Sequence, residues 1–451
     1  MKLNIEEKSL TEEETIFLTK STTLLEWTAQ NEAMPKVIDR AEGIFFWDKQ
    51  GRKYMDFNSQ AMCVNIGHGD KRITDAITKQ LKNCAFVWGK SFTTEIRAQL
   101  GQLLSSILPS SLNKVFLLSG GAEANEHAIR IAKNYTKKNK IIARYRSYHG
   151  ATYGAISLTG DPRRWGAEPT MAGTIHVMDP YKYRCRWCAT HNECSLDCLN
   201  NIEDVIKFEG AHTIAAVIIE PVTGSNGIII PSPDYLRRLK SLCEKNNILL
   251  IADEVMSGFG RTGKWFAVNN WDVQPDIITM AKGLTSGYFP LSAVAVSGQI
   301  ADYYEHNVLN LGSTYNAHPV GCAVAVECIK IYQSDNLIEN SAKLGKILAN
   351  KLEKMKIKHS IIGDVRSIGL FAAIEFVQDK NTKTPLIPFA PNQKELKPMI
   401  NLKNFLLEKG LFLASNNNFL IIAPPLCITK EQLLEGLNLI DMAITSTLYP
   451  I

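Results

Sequence analysis

Short apolar runs recur through the middle of the chain, and segments with helical periodicity separate them. Residues 214–219 and 248–252 are continuously apolar over the length of a strand, which is typical of strands buried on both faces of a sheet. Residues 123–137 and 235–245 instead repeat their apolar positions at helical spacing. Strands that alternate with helices in this way predict a mostly parallel sheet with helices on both of its faces.

The two ends of the chain follow a different pattern. Residues 44–57 contain two short apolar segments around a turn, which predicts a β-hairpin. Near the C-terminus, the pattern predicts a helix over residues 338–355 and a strand over residues 370–376. Thr429 and Gln432 have the spacing of a capping box, which predicts the start of a last helix. These elements indicate an α+β lobe.

Together the patterns predict an α/β fold of two domains. A chain of 451 residues exceeds the size at which a single hydrophobic core stops growing. The large domain, with a mostly parallel sheet between helices, is predicted to span residues 71–332. The smaller α+β domain would combine an N-terminal segment, residues 1–70, with residues 333–451.

A lysine and a carboxylate follow two of the predicted strands, at the ends where open α/β sheets bind ligands. The run 276–280 ends just before Lys282, and the run 248–252 ends at Asp253 and Glu254. Because side chains alternate along a strand, only one of these acids can face the site. An inward Asp253 would hold a protonated pyridine nitrogen, as in pyridoxal phosphate (PLP) sites, and a desolvated lysine amine can form a Schiff base. The plainer alternatives are a surface lysine and a surface or helix-capping acid.

A candidate phosphate site follows a third strand. Residues 114–118 predict a strand, and Gly120, Gly121 and Ala122 come next, at the start of a predicted helix. Backbone amides at a glycine-rich helix N-terminus can bind an anion. The segment lacks the lysine and hydroxyl of the P-loop and the third glycine of the dinucleotide fingerprint, which disfavours nucleotide binding. A plain strand-to-helix turn is the alternative.

With these elements in order, the chain from about Trp27 to its end resembles the class III (ω-type) aminotransferases of PLP fold type I. The resemblance is closest to the branch that uses amines or ω-amino acids with pyruvate, which includes taurine:pyruvate aminotransferases. The motifs that carry it are 51–57 (GRKYMDF), 120–125 (GGAEAN), 148–150 (YHG), 220–222 (EPV), 253–255 (DEV), 258–263 (GFGRTG), 282–283 (KG) and 312–315 (GSTY).

The resemblance implies specific roles in binding PLP. Lys282 would form the Schiff base with the cofactor and carry the proton, and Asp253 would pair with the pyridine nitrogen. Gly121 and Ala122 would give backbone amides to the phosphate. Residues 71–332 would therefore be the PLP-binding domain.

Further roles follow from the same resemblance. Tyr148 would stack on one face of the ring, and Val255 would pack against the other. Thr314 would reach the phosphate of a second subunit's cofactor, so the enzyme would be a homodimer with shared active sites. Glu220 is another candidate for the cofactor site, or only an acid at a strand end. The alternatives are a core aromatic for Tyr148, ordinary strand packing for Val255 and a loop hydroxyl for Thr314.

The implied substrates are an amine or ω-amino acid donor and a keto acid acceptor, with pyruvate expected to be preferred over 2-oxoglutarate. Two departures from the family pattern bear on this. Met256 stands where the family often has glutamine. No arginine or lysine lies between positions 409 and 430, where many relatives place the arginine that binds a substrate carboxylate. Carboxylate recognition would then fall to Arg163, Arg164 or Lys90, or the carboxylate would not be gripped at all.

A cluster of cysteines is not explained by these roles. Cys185, Cys188, Cys194 and Cys198 could ligate a structural Zn²⁺, with His191 between the two pairs. The five-residue spacer is shorter than in typical zinc motifs, so we expect no metal and reduced thiols in a loop insertion. The rival functions are an aminomutase or epimerase on the same fold, or a non-catalytic metal-dependent binding module.

Composition adds three expectations. With 45% hydrophobic residues and a net charge of +5 from scattered lysines, the chain has no basic stripe for nucleic acid. Its apolar runs are too short to span a membrane. The first fifteen residues are acidic and polar, unlike a signal peptide, and the other cysteines are scattered singly in apolar settings. We therefore predict a cytoplasmic enzyme that binds neither nucleic acid nor membranes.

Overall fold

The computed structural model describes residues 9–188 and 194–449. Its α-helices are α1 (Glu12–Thr22), α2 (Ser59–Met62), α3 (Lys71–Asn83), α4 (Glu95–Ile107), α5 (Gly121–Thr136), α6 (Tyr153–Leu158), α7 (Asp197–Glu209), α8 (Tyr235–Lys245), α9 (Gly298–His306), α10 (Pro319–Ser334), α11 (Leu337–Lys358), α12 (Lys397–Glu408) and α13 (Lys430–Thr447). Among these described helices, none combines the length and the apolar character that crossing a membrane requires.

The β-strands are β1 (Ile38–Glu42), β2 (Phe45–Asp48), β3 (Lys53–Asp56), β4 (Leu112–Leu118), β5 (Lys140–Arg144), β6 (Thr174–Val177), β7 (Ile214–Ile219), β8 (Leu249–Asp253), β9 (Ile277–Met280), β10 (Ser292–Ser297), β11 (Ile362–Ile368), β12 (Phe371–Asp379), β13 (Thr384–Pro385), β14 (Leu411–Phe412), β15 (Ala414–Asn416) and β16 (Phe419–Ile422).

A seven-stranded sheet carries the large domain, in the order β4-β10-β9-β8-β7-β5-β6. The five strands in the order β9-β8-β7-β5-β6 are parallel to one another, and β10 runs antiparallel to both β4 and β9. Every residue of β7 is buried, which explains its continuously apolar sequence. Helix α5 belongs to the apolar cluster on one face of the sheet, and α8 belongs to the cluster on the other. The predicted α/β fold is confirmed.

The predicted hairpin is present, and it joins the two ends of the chain. Strands β2 and β3 are antiparallel, with Phe45 opposite Met55. Strand β3 also pairs in parallel with β14, where Met55 lies opposite Leu411. The small sheet β1-β2-β3-β14 therefore contains both N-terminal and C-terminal residues. This pairing agrees with the predicted combination of the two end segments, while the exact domain boundaries stay a prediction.

The C-terminal lobe has the predicted elements with slightly different bounds. Its main sheet has the order β11-β12-β16-β15. Helix α11 begins one residue before the predicted range 338–355 and ends three residues after it, and α13 begins where the capping box predicts. The capping box of α13 is formed, because the Gln432 amide donates to Thr429 Oγ1 at 3.2 Å and the Thr429 amide donates to Gln432 Oε1 at 2.9 Å.

A buried arginine connects the domains. Arg261 Nη2 donates to Asn65 Oδ1 at 2.6 Å and to Ser59 Oγ at 3.1 Å, and Nη1 donates to the Leu370 carbonyl at 3.2 Å. Burial lowers the pKa of Arg261 to about 10. These bonds link the N-terminal segment, the large domain and the C-terminal lobe around one side chain.

Candidate active site

Two neighbouring parallel strands bring the candidate lysine and acid to the same edge of the sheet. In the register of β8 and β9, Asp253 lies opposite Thr279, and Lys282 follows three residues later. Lys282 begins a short 3₁₀ turn with φ of +41°, a left-handed conformation that is costly for a residue with a side chain. Among the described residues, Lys282 Nζ has no hydrogen-bond or ion-pair partner, and burial lowers its pKa. The amine is therefore free to react, because no structural contact occupies it.

Asp253 is held in one orientation by a buried network. Its Oδ2 accepts from Asn125 Nδ2 at 2.8 Å and lies 2.8 Å from His149 Nδ1, while the Val255 amide donates to Oδ1 at 3.1 Å. Thr279 Oγ1 in turn donates to Asn125 Oδ1 at 2.7 Å. The sequence argument missed Asn125 and His149 as supporting residues. Their positions within the 120–125 and 148–150 motifs were the available signal.

Glu254 faces away from the site, as the alternation along the strand predicts. It accepts from the backbone amides of Ala267 at 3.0 Å and Val268 at 2.9 Å and from the Ser257 hydroxyl. Burial raises the pKa of Glu254 to about 7. Asp253 is therefore the acid of this pair that reaches the site, and Glu254 secures the segment behind it.

The N-terminus of α5 forms a cradle beside these groups. Within the described structure, the amides of Gly121 and Ala122 donate to no acceptor, so both are free for an anion at the positive end of the helix. A Cβ added at Gly121 would lie 3.0 Å from a methyl group of Val255, so the glycine admits close packing there. Val255 thus lies against the cradle. It is not on the strand face predicted for it, because β8 ends at Asp253 and Val255 lies in the turn that follows.

Tyr148 and Glu220 meet on another side of the site. Glu220 is buried, and its two carboxylate oxygens accept from the backbone amides of Tyr148 at 3.0 Å and Gly224 at 2.8 Å. Burial raises the pKa of Glu220. Both of its oxygens hold backbone, so Glu220 positions Tyr148. Met256 packs against Gly224 and contributes only apolar contact.

Of the three cations considered for carboxylate binding, the structure brings only Arg163 to the site. Its guanidinium lies 3.8 Å from the centre of the Tyr148 ring, and Nη2 donates to Ser225 Oγ at 2.8 Å. Arg164 turns towards His176 and Glu168. Lys90 lies elsewhere, in the surface pocket described next.

Thr314 lies apart from the other candidate residues of its own subunit. It is exposed and lines a surface pocket with Trp88, Lys90 and Arg97. Trp88 is an exposed apolar residue in the lining of this pocket, and Tyr315, which follows Thr314, is exposed and packs against exposed Phe86. Thr314 therefore cannot complete the site of its own chain.

The polar groups of the site fit PLP. The free amine of Lys282 matches the aldehyde of the cofactor, and the buried carboxylate of Asp253 matches the pyridine nitrogen. The two free amides at the N-terminus of α5 match the phosphate. Burial is the main cause that lowers the pKa of Lys282; Cys63, Asp253 and Glu220 act to raise that pKa, and Arg163 acts to lower it. Over residues 9–188 and 194–449, no three His, Cys, Asp or Glu side chains are arranged to hold a metal ion. His191 lies outside the described residues.

Comparison with known proteins identifies relatives that span nearly the whole chain. The family model "Aminotransferase class-III" matches residues 27–444. The chain is 36% identical to a leucine/methionine racemase of Thermococcus litoralis, over 91% of this chain and 90% of that protein. It is 32% identical to a putrescine–pyruvate aminotransferase of Pseudomonas aeruginosa, over 92% of each. The structure of a taurine:2-oxoglutarate aminotransferase from Bifidobacterium kashiwanohense, with PLP and glutamate, superposes with a TM-score of 0.93 at 36% identity, covering 97% of this chain and 98% of that one.

Proposed function

The chain belongs to the class III aminotransferases, which are PLP-dependent enzymes, and within this family we propose that it takes an amine or ω-amino acid donor and passes the amino group to pyruvate. The observation that carries the finer proposal is the charge of the substrate cleft. This cleft is the cavity that Arg163 lines with Trp27 and Ser225. Arg163 is the only cation among its described lining residues, and Lys282 lies outside that lining. Ser415, Asn416 and Asn417, which also line the cleft, are neutral.

The chain's own residues divide the work of the reaction. PLP, when bound, supplies an electron sink that weakens the bond to a proton on the donor's carbon. Lys282 Nζ binds the cofactor between turnovers and moves that proton during them. Asp253 keeps the pyridine nitrogen protonated, and Asn125 and His149 keep Asp253 aimed. Gly121 and Ala122 bind the phosphate, which leaves the reactive end of the cofactor at Lys282.

Arg163 supports recognition of one anionic group on the substrate. Asp161 orients it, accepting from Arg163 Nε at 3.0 Å, and Asn226 donates to the same carboxylate at 2.9 Å. Arg163 Nη2 also donates to Asp161, while Nη1 has no hydrogen-bond partner among the described residues and remains able to donate to a substrate. A single, partly engaged guanidinium suits a monocarboxylate or a sulfonate better than a dicarboxylate, which needs a second cation.

The acceptor is tested by a half-reaction. We expect the amino-loaded enzyme, freed of donor, to recover its visible cofactor absorbance faster with pyruvate than with 2-oxoglutarate. Faster recovery with 2-oxoglutarate, the acceptor named for the Bifidobacterium enzyme, would overturn the choice of acceptor.

A racemase is the second candidate, because of the similarity to the Thermococcus protein. A racemase would remove the optical activity of a solution of one amino acid enantiomer, and no keto acid would restore the visible cofactor absorbance of its amino-loaded form.

Arg163→Gln is expected to weaken binding of an ω-amino acid donor but not of an amine of equal length that lacks the carboxylate. A hydrogen bond to a charged group contributes about 1.5–3 kcal/mol, so KM for the ω-amino acid should rise roughly 10- to 150-fold. Arg164→Gln is the matched control, since Arg164 faces His176 outside the cleft. Equal changes in KM for both donors would argue against anion recognition by Arg163.

We also propose that the enzyme is a homodimer whose sites are shared through Thr314. The support is the exposed Thr314 hydroxyl in a pocket lined by exposed Trp88, with exposed Tyr315 and Phe86 packed together beside it, because contact with water disfavours exposed apolar side chains. Co-expressing Lys282→Ala with Thr314→Ala should give mixed dimers in which one site carries both lesions and the other is intact. Such dimers, purified with two different tags, should regain up to about half of the wild-type activity. A mixed dimer no more active than either parent would exclude a role for Thr314 across the interface.

A further inference from the structure

The cysteine cluster beside α7 is organised around Cys188. Cys188 is 7% exposed, and its sulfur lies 3.7 Å from the sulfur of Cys194 and 3.6 Å from Ser195 Oγ. Cys185 and Cys198 are the other members of the cluster, and all four are free thiols. Cys185 is a second neighbour of Cys188, because the two thiols also hydrogen-bond each other.

The thiols of this cluster differ in their readiness to ionise. Burial by itself raises the pKa of Cys188, but hydrogen bonds from Ser195 and from the neighbouring thiols outweigh it and leave the pKa below its ordinary value. Burial raises the pKa of Cys185, and it raises that of Cys198 to about 12. The position of Cys188, with its sulfur 3.7 Å from that of Cys194, suits it to attack a disulfide formed on Cys194.

Cys188 and Cys194 differ in their exposure to solvent. Cys194 is partly exposed, while Cys188 lies in the wall of a cavity with Tyr181, Ile229 and Arg366. Cys194 is therefore the more exposed of the two to a small disulfide in solution. An S–S bond is about 2.05 Å long, so closing the pair from 3.7 Å requires a movement of under 2 Å. Cys194 is the freer of the two to make it.

We propose that Cys188 and Cys194 are a reversible disulfide site, with Cys194 reacting first and Cys188 resolving. The Cys194 thiolate attacks oxidised glutathione, forming a mixed disulfide and releasing one glutathione thiolate. The Cys188 thiolate then attacks the Cys194 sulfur, closing the protein disulfide and releasing the second glutathione. Two protein thiols are oxidised, one glutathione disulfide is reduced to two thiols, and excess reduced glutathione reverses both steps.

The test uses the purified PLP-loaded enzyme in buffers of increasing ratio of oxidised to reduced glutathione. After the thiols are quenched by alkylation, we expect peptide mass spectrometry to find a Cys188–Cys194 bridge, marked by the loss of two hydrogen atoms. Cys188→Ser should stop at the first step and accumulate a glutathione adduct on Cys194. Cys194→Ser should form neither adduct nor bridge, and the control Cys185→Ser should form the bridge as the wild type does.

Three results would overturn the proposal. One is the absence of the bridge at every glutathione ratio. Another is a bridge that pairs Cys185 with Cys188. The third is stoichiometric zinc in the purified protein, with all four thiols unreactive until a chelator removes it, which would make the cluster a metal site.

Discussion

Lys282→Ala is expected to abolish turnover while the protein still folds and binds PLP. General acid–base catalysis by one residue contributes about 10²–10⁴ in rate, and loss of the covalent link adds to it. We therefore expect a decrease on the order of 10⁴ or more. The free amides of Gly121 and Ala122 at the start of α5 and the Asp253 carboxylate would remain to hold the cofactor. The backbone cost of the left-handed turn is similar for alanine and lysine, so stability should change little.

The measurement pairs turnover with cofactor binding. PLP retained non-covalently, with the visible absorbance of the lysine–cofactor link lost, would accompany the inactive variant. Lys264→Ala, at an exposed lysine in the same region of the chain, is the matched control and should behave as the wild type. Turnover of Lys282→Ala near the wild-type rate would refute the central assignment.

Asp253→Asn is expected to slow the chemical step greatly without unfolding the protein. Asparagine has the same shape and can still accept from Asn125, but it is neutral and cannot stabilise a protonated ring nitrogen. Removing one partner of a buried ion pair costs about 3–5 kcal/mol, or roughly two to four orders of magnitude in rate. Single-turnover kinetics with saturating donor would measure this step directly.

Glu254→Gln provides the control for that experiment. Glu254 is the next residue along the strand and is equally buried, but it bonds the amides of Ala267 and Val268 away from the site. We expect this variant to lose thermal stability and to keep its single-turnover rate. Unchanged kinetics in Asp253→Asn would remove Asp253 from the mechanism.

The parts of the site that lie at strand ends could be predicted from sequence, because local pattern determines them. A continuous apolar run indicates a buried parallel strand, and the residue that follows it must lie at the sheet's carboxyl edge. This argument located Lys282 and Asp253 and the glycine cradle at Gly121. The resemblance then supplied the reaction and the cofactor.

Contacts between distant segments could not be predicted in the same way. Nothing local to Arg163 distinguishes it from Arg164, and only the folded chain turns one towards Tyr148 and the other towards His176. Glu220 likewise carried no sign that both of its oxygens bind backbone amides. Such bonds depend on how loops from different strands meet, which periodicity does not encode.

The pairing of β3 with β14 also affects how the protein is made in the cell. At about 5–20 residues per second, a ribosome needs roughly 20–70 seconds to synthesise the segment between Met55 and Leu411. The large domain's sheet, which ends at Ser297, can form well within that time. During this interval β3 has one edge unpaired, which favours association with other chains or capture by a chaperone. Completion of the small domain therefore waits for the last tenth of the chain to leave the ribosome.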